Sequence, residues 1–367
     1  MAAALKPGDT VGILGGGQLG RMLAVAAAKL GLGAHIYAPE SDSPAFDVAA
    51  QTTCAPYQDI AALRTFAQSV QVVTYEFENI PASSVAVLEE LAPVYPPRRA
   101  LVSAQDRLAE RRLLQSLELS HAPFQFVPSA DALSQAFAAL GGGPAFLKKL
   151  RNGYDGKGQM KIANAPDLAE AAVWLNSDGA ILEAAISFDF ELSVIGVRGR
   201  EGATAFYDSP RNVHREGILR ESHVPSPISD GQQARANAMV GKIMAAVDYV
   251  GVIAVEMFAV GEPGAETFLI NEIAPRVHNS GHWTLEACAI SQFENHIRAV
   301  AGWQLGSSER HSNAVMTNLI GNDVNVWREH LETPGRSLHI YGKGEARPGR
   351  KMAHYTDTFV KIRNRQL

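Results

Sequence analysis

Residues 11–22, VGILGGGQLGRM, pass from an apolar run into glycines at Gly15, Gly17 and Gly20 and then into a helical stretch. This order fixes the local fold: a buried strand, a tight turn and a helix whose exposed N–H groups favour an anion. Apolar runs and Ala/Leu-rich helical stretches then alternate through AHIYAPE, IAALRTFAQSV, VVTYEFEN and SSVAVLEELA, up to about Val94. Such βαβαβα alternation predicts a doubly wound parallel sheet with ligand groups at the carboxyl ends of its strands. The acids Glu76 and Glu78 fall at one such end. The glycine spacing is also that of a dinucleotide turn, and Glu40 stands about 20 residues past the last glycine, where a ribose-binding acid belongs. A plain strand-to-helix turn accounts for the glycines equally well, so both readings stay open here.

The prolines of APVYPPRR mark a boundary, and 367 residues exceed what one ordinary core organises. We expect an N-terminal α/β domain at 1–100, a central domain at 101–306 and a small β-rich unit at 307–367. In the centre, SAQDRLAERRLLQSLEL has the apolar spacing of one amphipathic helix (Leu108, Leu113, Leu114, Leu117). GPAFLKKL, GAILEAAI and FELSVIGVRG are expected strands, and RNGYDGKGQMKI a glycine-punctuated hairpin loop leading into another. A long loop is expected through YDSPRNVHREGILRESHVPSPI, then a helix over Asp230 to Val247. YVGVIAVEMFAV and ETFLINEIAPR form two strands turned by GEPG, followed by a helix from Thr284 to about Val300 and a linker, GSSERHSN.

Composition narrows the partners. A net charge of −5 gives no basic footprint for nucleic acid, so small molecules are favoured. The chain has no uninterrupted apolar run near the ~20 residues that cross a bilayer, and MAAALKPGDT is too short in apolar residues for a secretion signal. Cys54 and Cys288 are the only cysteines, which excludes a disulfide framework and suits a reducing cytoplasm.

Four clusters can carry chemistry. Lys148 precedes a loop with Gly153, Gly156 and Gly158; glycines let backbone N–H groups close on a polyphosphate while the lysine supplies fixed charge. A flexible exposed hairpin explains the glycines but not Tyr154, Asp155 and Lys157. Glu256 and Glu272 interrupt apolar strands that would pair, and two facing carboxylates repel unless a cation lies between them. Mg²⁺ suits such a pair; a buried ion pair with Arg276 is the competing reading. APRVHNSGHWT then crowds Arg276, His278, Asn279 and His282 together, with the arginine fork suited to an oxyanion. Zinc is disfavoured, because Pro275 and Gly281 oppose the helix that would align the two histidines. His214 alone has the look of a packing or surface histidine. Near the C-terminus, Lys343, Arg347, Arg350 and Lys351 oppose only Glu345, which fits an anionic substrate or an ordinary solvated surface.

In order, GGGQLGRM, TYEFENIP, QDRLAERRLL, GYDGKGQ, NVHREGILR, NEIAPRVHNSGHWT and YGKGEARPGRKMAHY resemble the N5-carboxyaminoimidazole ribonucleotide synthetases of the ATP-grasp superfamily. The resemblance implies an ATP-grasp fold behind a biotin-carboxylase-like N-terminal domain, whose glycine turn helps hold a ribonucleotide and not a dinucleotide. It implies that ATP is held by Arg107, Lys148, the loop Gly153, Tyr154, Asp155, Gly156, Lys157, Gly158 and Gln159, the hinge Glu183, Ala184, Ala185 and Ile186, and Glu191, His214, Asn271 and Glu272. Glu256 and Glu272 would bind Mg²⁺. Gln18, Glu76, Tyr154, Asp155, Lys343, Arg350 and Lys351 would contact 5-aminoimidazole ribonucleotide, and Arg276, His278 and Asn279, with Lys148, would serve bicarbonate and catalysis. Relatives are dimers, which implies a homodimer. The chain departs from the pattern at Arg111, where lysine is common, at Arg211, where an acid is usual, and at Lys149, Leu150 and Asn152. The alternatives are a formate-using glycinamide ribonucleotide transformylase of the same superfamily and, from another class, an NAD-dependent oxidoreductase.

Overall fold

The structure is a computed structural model that describes residues 3–151, 153, 158–175, 178–262 and 264–361. The N-terminal region runs β1 (Thr10–Leu14), α1 (Gln18–Lys29), β2 (Gly33–Ala38), β3 (Gln51–Cys54), α2 (Ile60–Gln68), β4 (Val72–Tyr75) and α3 (Ala82–Glu89). Its four parallel strands lie in the order β3-β2-β1-β4. Val11, Ile13, Leu14, Val72 and Val73 are fully buried because helices cover both faces, as the near-continuous apolar runs predict. Strand β3 escapes such a reading: QTTC is polar and mostly exposed.

The glycine turn resolves against a dinucleotide. Gly15 has a φ of +108°. The carboxylate of Glu76, at the end of β4, accepts from Gly17 N at 2.6 Å and Gly20 N at 2.8 Å. A Cβ on Gly15 would stand 2.4 Å from Glu76 Cγ, and one on Gly17 2.7 Å from Glu76 Oε1. The glycines therefore make room for the protein's own carboxyl group, which takes the helix-start amides that a pyrophosphate would need. Glu40 is exposed.

The chain continues through α4 (Arg98–Gln105) and α5 (Arg107–Ser116). The single helix expected here is broken at Asp106, whose side chain accepts from Leu108 N and Ala109 N and so begins α5 anew. Next come β5 (Phe124–Val127), α6 (Ala130–Ala139), β6 (Ala145–Lys149), β7 (Gln159–Ile162), α7 (Leu168–Trp174) and β8 (Ala180–Ala184). These strands form an antiparallel sheet in the order β5-β8-β6-β7, with Leu133, Ala136 and Phe137 of α6 and Ala171 of α7 in its core.

The remaining elements are β9 (Phe190–Arg198), β10 (Thr204–Phe206), β11 (Arg211–Arg215), β12 (Ile218–Val224), α8 (Asp230–Ala246), β13 (Gly251–Val260), β14 (Thr267–Ala274), α9 (Thr284–Ala287), α10 (Gln292–Ala301), β15 (Ser312–Ile320), α11 (Trp327–Leu331), β16 (Arg336–Ile340) and β17 (Lys351–Val360). They build a nine-stranded sheet, β14-β13-β9-β11-β12-β15-β17-β16, with β10 on β9. Period-two alternation sorts its core: Val252 and Ala254 pack with Ile297 and Val300 of α10, while Ile253, Val255 and Met257 pack with Val240 and Ile243 of α8. Two expectations are corrected. The supposed loop through residues 211–224 is the hairpin β11–β12, turned by Glu216 and Gly217 at positive φ; its strand RNVHR is polar and lacked an apolar signal. The helix expected from Thr284 to Val300 is two helices, because Ser291 accepts from Glu294 N and starts α10. The C-terminal strands are continuous with the central sheet, Glu221–Val224 pairing with Ala314–Thr317. No described helix is long and apolar enough to cross a membrane.

His296 joins the N-terminal domain to this sheet. Its Nδ1 accepts from Val252 N at 3.0 Å, which leaves Nε2–H for Thr74 Oγ1 at 2.7 Å. Burial lowers its pKa from 6.5 to about 3. Below pH 6.5 the unfolded chain binds a proton that the folded chain refuses. Stability is therefore full above pH 6.5 and falls as the pH drops towards 3, by about 1.4 kcal/mol per pH unit from this residue. Urea midpoints between about pH 7.5 and about pH 5.5 should fall more steeply for the wild type than for His296→Gln; equal slopes would contradict this role.

Candidate active site

The C-terminal end of the parallel sheet, the β5-β8-β6-β7 sheet and the open end of the β13–β14 hairpin enclose one cleft of about 880 Å³. Lys148 reaches it from the end of β6. Its Nζ bonds Glu183 Oε2 at 2.5 Å, from the neighbouring strand β8. Glu183 Oε1 accepts from Arg111 Nε at 2.7 Å, and Arg111 continues to Glu110 at 2.8 Å and to the Asn271 carbonyl at 2.6 Å. Burial works to raise the Glu183 pKa, but Lys148 and Arg111 overcome it and hold the carboxyl at about 2. Burial also lowers Lys148, reinforced by Arg107 and Arg111 and opposed by Glu183. Four buried charged groups thus tie α5, β6, β8 and β14 together beneath the cleft.

Glu256 and Glu272 face each other across the β13–β14 ladder, beside a register shift after Glu256. Burial, and then the facing Glu272, raise the pKa of Glu256. Its near neighbour is His278 Nε2 at 3.4 Å, while Glu272, with 43% of its side chain exposed, lies 3.7 Å from Arg107. Two opposed carboxylates, one 3.4 Å from His278 and the other 3.7 Å from Arg107, suit a divalent cation. Among the described residues there is no cluster of three or more His, Cys, Asp or Glu able to hold a metal. The opposed pair fits Mg²⁺, which takes few carboxylates and fills its shell with water and phosphate. His282, four residues after His278, is buried against Phe293 and His354.

The ion pair that competed with this reading is absent from the Glu256–Glu272 pair, because Arg276 bonds Glu78 instead. Nη2 lies 2.9 Å from Glu78 Oε1, Nε contacts Oε2, and Nη1 donates to the Val277 carbonyl at 3.1 Å. Against burial, Glu78 raises the Arg276 pKa, and Arg276 lowers that of Glu78. Sequence reasoning placed Glu78 at a strand end but gave it no partner. It also missed Gln292, which accepts from His278 N at 3.0 Å and donates to His278 O at 2.7 Å. Asn279 is committed to Asn318 on β15 by two reciprocal amide bonds of 2.9 and 2.7 Å. Burial, followed by Arg276 and Lys351, holds His278 well below the ordinary imidazole range.

On β11, His214 contacts Glu191 of β9. Burial opposes the cation, but Glu191 and Glu256 raise its pKa overall. It is a cleft residue, not an isolated packing histidine. Gln18 opens α1 and lines the cleft beside Glu76, whose pKa burial raises while the Gly20 and Gly17 amides oppose it. Across from them stand Lys343, Arg350 and Lys351, with Lys343 Nζ on the Lys351 carbonyl at 2.8 Å. Gly153, Gln159, Ala184, Ile186 and Asn271 also line it. So do Phe188 and Phe258, stacked 4.6 Å apart, which no sequence motif announced. Gly158 and Ala185 are not among the lining residues; their backbones bond Lys149 N and Pro144 O. Tyr154, Asp155, Gly156 and Lys157 lie outside the described residues.

Three families match in succession: the ribonucleotide synthetase preATP-grasp domain over 9–105, the ATP-grasp domain over 112–293 and the phosphoribosylaminoimidazole carboxylase C-terminal domain over 314–362. The chain is 47% identical over 355 residues, 96% of its length and 97% of the relative's, to N5-carboxyaminoimidazole ribonucleotide synthase of Brucella melitensis. The chain belongs to the N5-carboxyaminoimidazole ribonucleotide synthase family. Among solved family structures it is similar to the Staphylococcus aureus synthetase complexed with ADP, with TM-score 0.92, 38% identity and coverage of 97% of this chain and 94% of that one. It is similar also to the Aspergillus clavatus synthase in complex with ADP and 5-aminoimidazole ribonucleotide, with TM-score 0.88, 29% identity and coverage of 96% and 94%. The fold is accordingly that of an ATP-grasp ligase of this family, and the third matched domain sets aside the formate-using transformylase.

Proposed function

We propose that the cleft carboxylates 5-aminoimidazole ribonucleotide to N5-carboxyaminoimidazole ribonucleotide at the expense of ATP, with bicarbonate as carbon source, in purine biosynthesis. The cytoplasm and a homodimer complete this reading. One observation carries it: the cations Lys148, Arg107 and Arg276, the opposed Glu256 and Glu272, and the basic C-terminal residues all face one cavity.

In this reading Lys148 and Arg107 bind the ATP phosphates, and the end of β8 with Ile186, Phe188 and Phe258 offers the base an apolar seat. Glu191 and His214 stand nearer the β11 side, suited to the ribose and phosphates. Glu256 and Glu272 would hold Mg²⁺, which supplies charge neutralisation between two anions. Arg276, His278 and Asn279 hold bicarbonate. A bicarbonate oxygen takes the γ-phosphoryl group, so that the bond to the β-phosphate oxygen breaks and ADP leaves. The carbon of the resulting carboxyphosphate passes to the exocyclic amine; the new C–N bond replaces the C–O bond, phosphate departs and the amine loses a proton. Gln18, Glu76, Lys343, Arg350 and Lys351 position that ribonucleotide.

The test is ADP release with bicarbonate, with and without aminoimidazole ribonucleotide: release that depends on the ribonucleotide is expected, and none with it would refute the reading. Lys351→Ala should raise the ribonucleotide KM by about tenfold or more, with a smaller change in kcat. An unchanged KM would remove Lys351 from the substrate contacts.

A further inference from the structure

Behind His278 runs a buried chain of polar side chains from three strands of the large sheet. Ser222 on β12 donates to Asn212 Oδ1 at 2.9 Å, and Asn212 Nδ2 on β11 donates to Ser193 Oγ at 2.9 Å. Ser193 on β9 donates to Ser280 Oγ at 2.6 Å, and Ser280 Oγ lies 2.8 Å from His278 Nδ1. Ser193, Ser222 and Ser280 are wholly buried and Asn212 nearly so. Hydroxyls and amides can run such a chain in either direction, so by itself it leaves the imidazole proton unassigned. The backbone decides it. Ser280 N also points at His278 Nδ1, at 3.3 Å, and an amide N–H can only donate. Nδ1 must therefore be an acceptor, which excludes both the Nδ1–H tautomer and the doubly protonated ring. Ser280 O–H, already accepting from Ser193, is then free to give its own proton to the same nitrogen. The ring proton is left on Nε2, the atom that faces Glu256 Oε1 and the cleft.

We infer that Ser280, with Ser193, Asn212 and Ser222 behind it, fixes His278 in its Nε2–H tautomer, so that His278 meets bicarbonate as a neutral hydrogen-bond donor and acts neither as a base nor as a metal ligand. This rests on the reading above that His278 faces bicarbonate. A neutral donor at this place holds an oxyanion without taking its proton, and it leaves Glu256 with a donor when no cation is near. Ser280, Ser193, Asn212 and Ser222 are positioning residues; they touch no substrate.

Long-range ¹H–¹⁵N correlation of ¹⁵N-histidine-labelled protein reads the tautomer directly, the His278 signals being those lost in His278→Gln. An unprotonated Nδ1 and a protonated Nε2 are expected; a protonated Nδ1 would overturn the inference whatever the activity. In Ser280→Ala the hydroxyl is lost but the amide that points at Nδ1 remains, so the Nε2–H tautomer should persist with the fold retained; protonation of Nδ1 in this variant would show that the amide does not decide the tautomer. Steady-state kinetics then test the donor. Glutamine can place an N–H near the position of Nε2 and asparagine near that of Nδ1, so the bicarbonate KM should rise about tenfold more in His278→Asn than in His278→Gln. The reverse order would overturn the donor role. A bicarbonate KM unchanged in both variants, beside the expected tautomer, would instead refute the bicarbonate reading on which the inference stands.

Discussion

Glu272→Ala abolishes ATP turnover, lowering kcat by on the order of 10³-fold or more, and leaves the protein folded. The two halves of this expectation have separate causes. The carboxylate faces Glu256 directly across the ladder, so its loss removes one of two groups suited to a divalent ion among anionic substrates. Its partner inside the protein is distant, Arg107 at 3.7 Å, and 43% of its side chain is exposed, so little structure depends on it. Removing it also relieves the repulsion that, after burial, raises the Glu256 pKa. The checks are ADP release and a thermal melt of the purified variant. Undiminished ADP release would contradict the metal assignment, and a lost melting transition would show that the residue is structural.

Glu183→Leu acts in the opposite way, through the fold. It strands Lys148 and Arg111, both buried, without the carboxylate that each contacts. Breaking a buried pair from one side costs about 3–5 kcal/mol, since the remaining charge cannot return to water. The urea midpoint should drop accordingly. Adding Arg111→Met should restore part of the loss, because the two residues share one network; full additivity would show that they do not interact. The pH dependence follows the same geometry. A carboxyl held at about 2 against an ordinary 4.5 contributes stability above pH 4.5 and loses it as the pH falls towards 2, so the network is intact throughout the neutral range.

Much of this molecule can be read from local pattern. The βαβ alternation, the β13–β14 hairpin and the facing of Glu256 and Glu272 all follow from periodicities of two or three to four residues. Where local pattern is ambiguous, the reading fails for identifiable reasons. RNVHR is a strand held by neighbours on both sides, and its composition does not announce it. Asp106 and Ser291 look like ordinary residues inside helical spacing, yet each caps a new helix. The glycine turn misleads most instructively: the same spacing serves a bound pyrophosphate or, as here, a carboxyl group that arrives from Glu76, 56 residues after Gly20. Arg276 with Glu78 and Asn279 with Asn318 are 198 and 39 residues apart, and only the folded chain introduces them.

The pairing of β12 with β15 also sets a limit on movement. His214 on β11 and Lys351 on β17 stand on one sheet, three strand steps apart, or roughly 14 Å at the usual spacing. A hinge cannot pass between them without tearing backbone hydrogen bonds, so they behave as two fixed jaws of a calliper. Among the described residues the smaller sheet that carries Lys148 pairs with no strand of that larger sheet and is joined to it through the side chains of Glu183 and Arg111. Any displacement of that smaller sheet would have to strain the Lys148–Glu183–Arg111–Asn271 chain, while the spacing of the two jaws stays fixed.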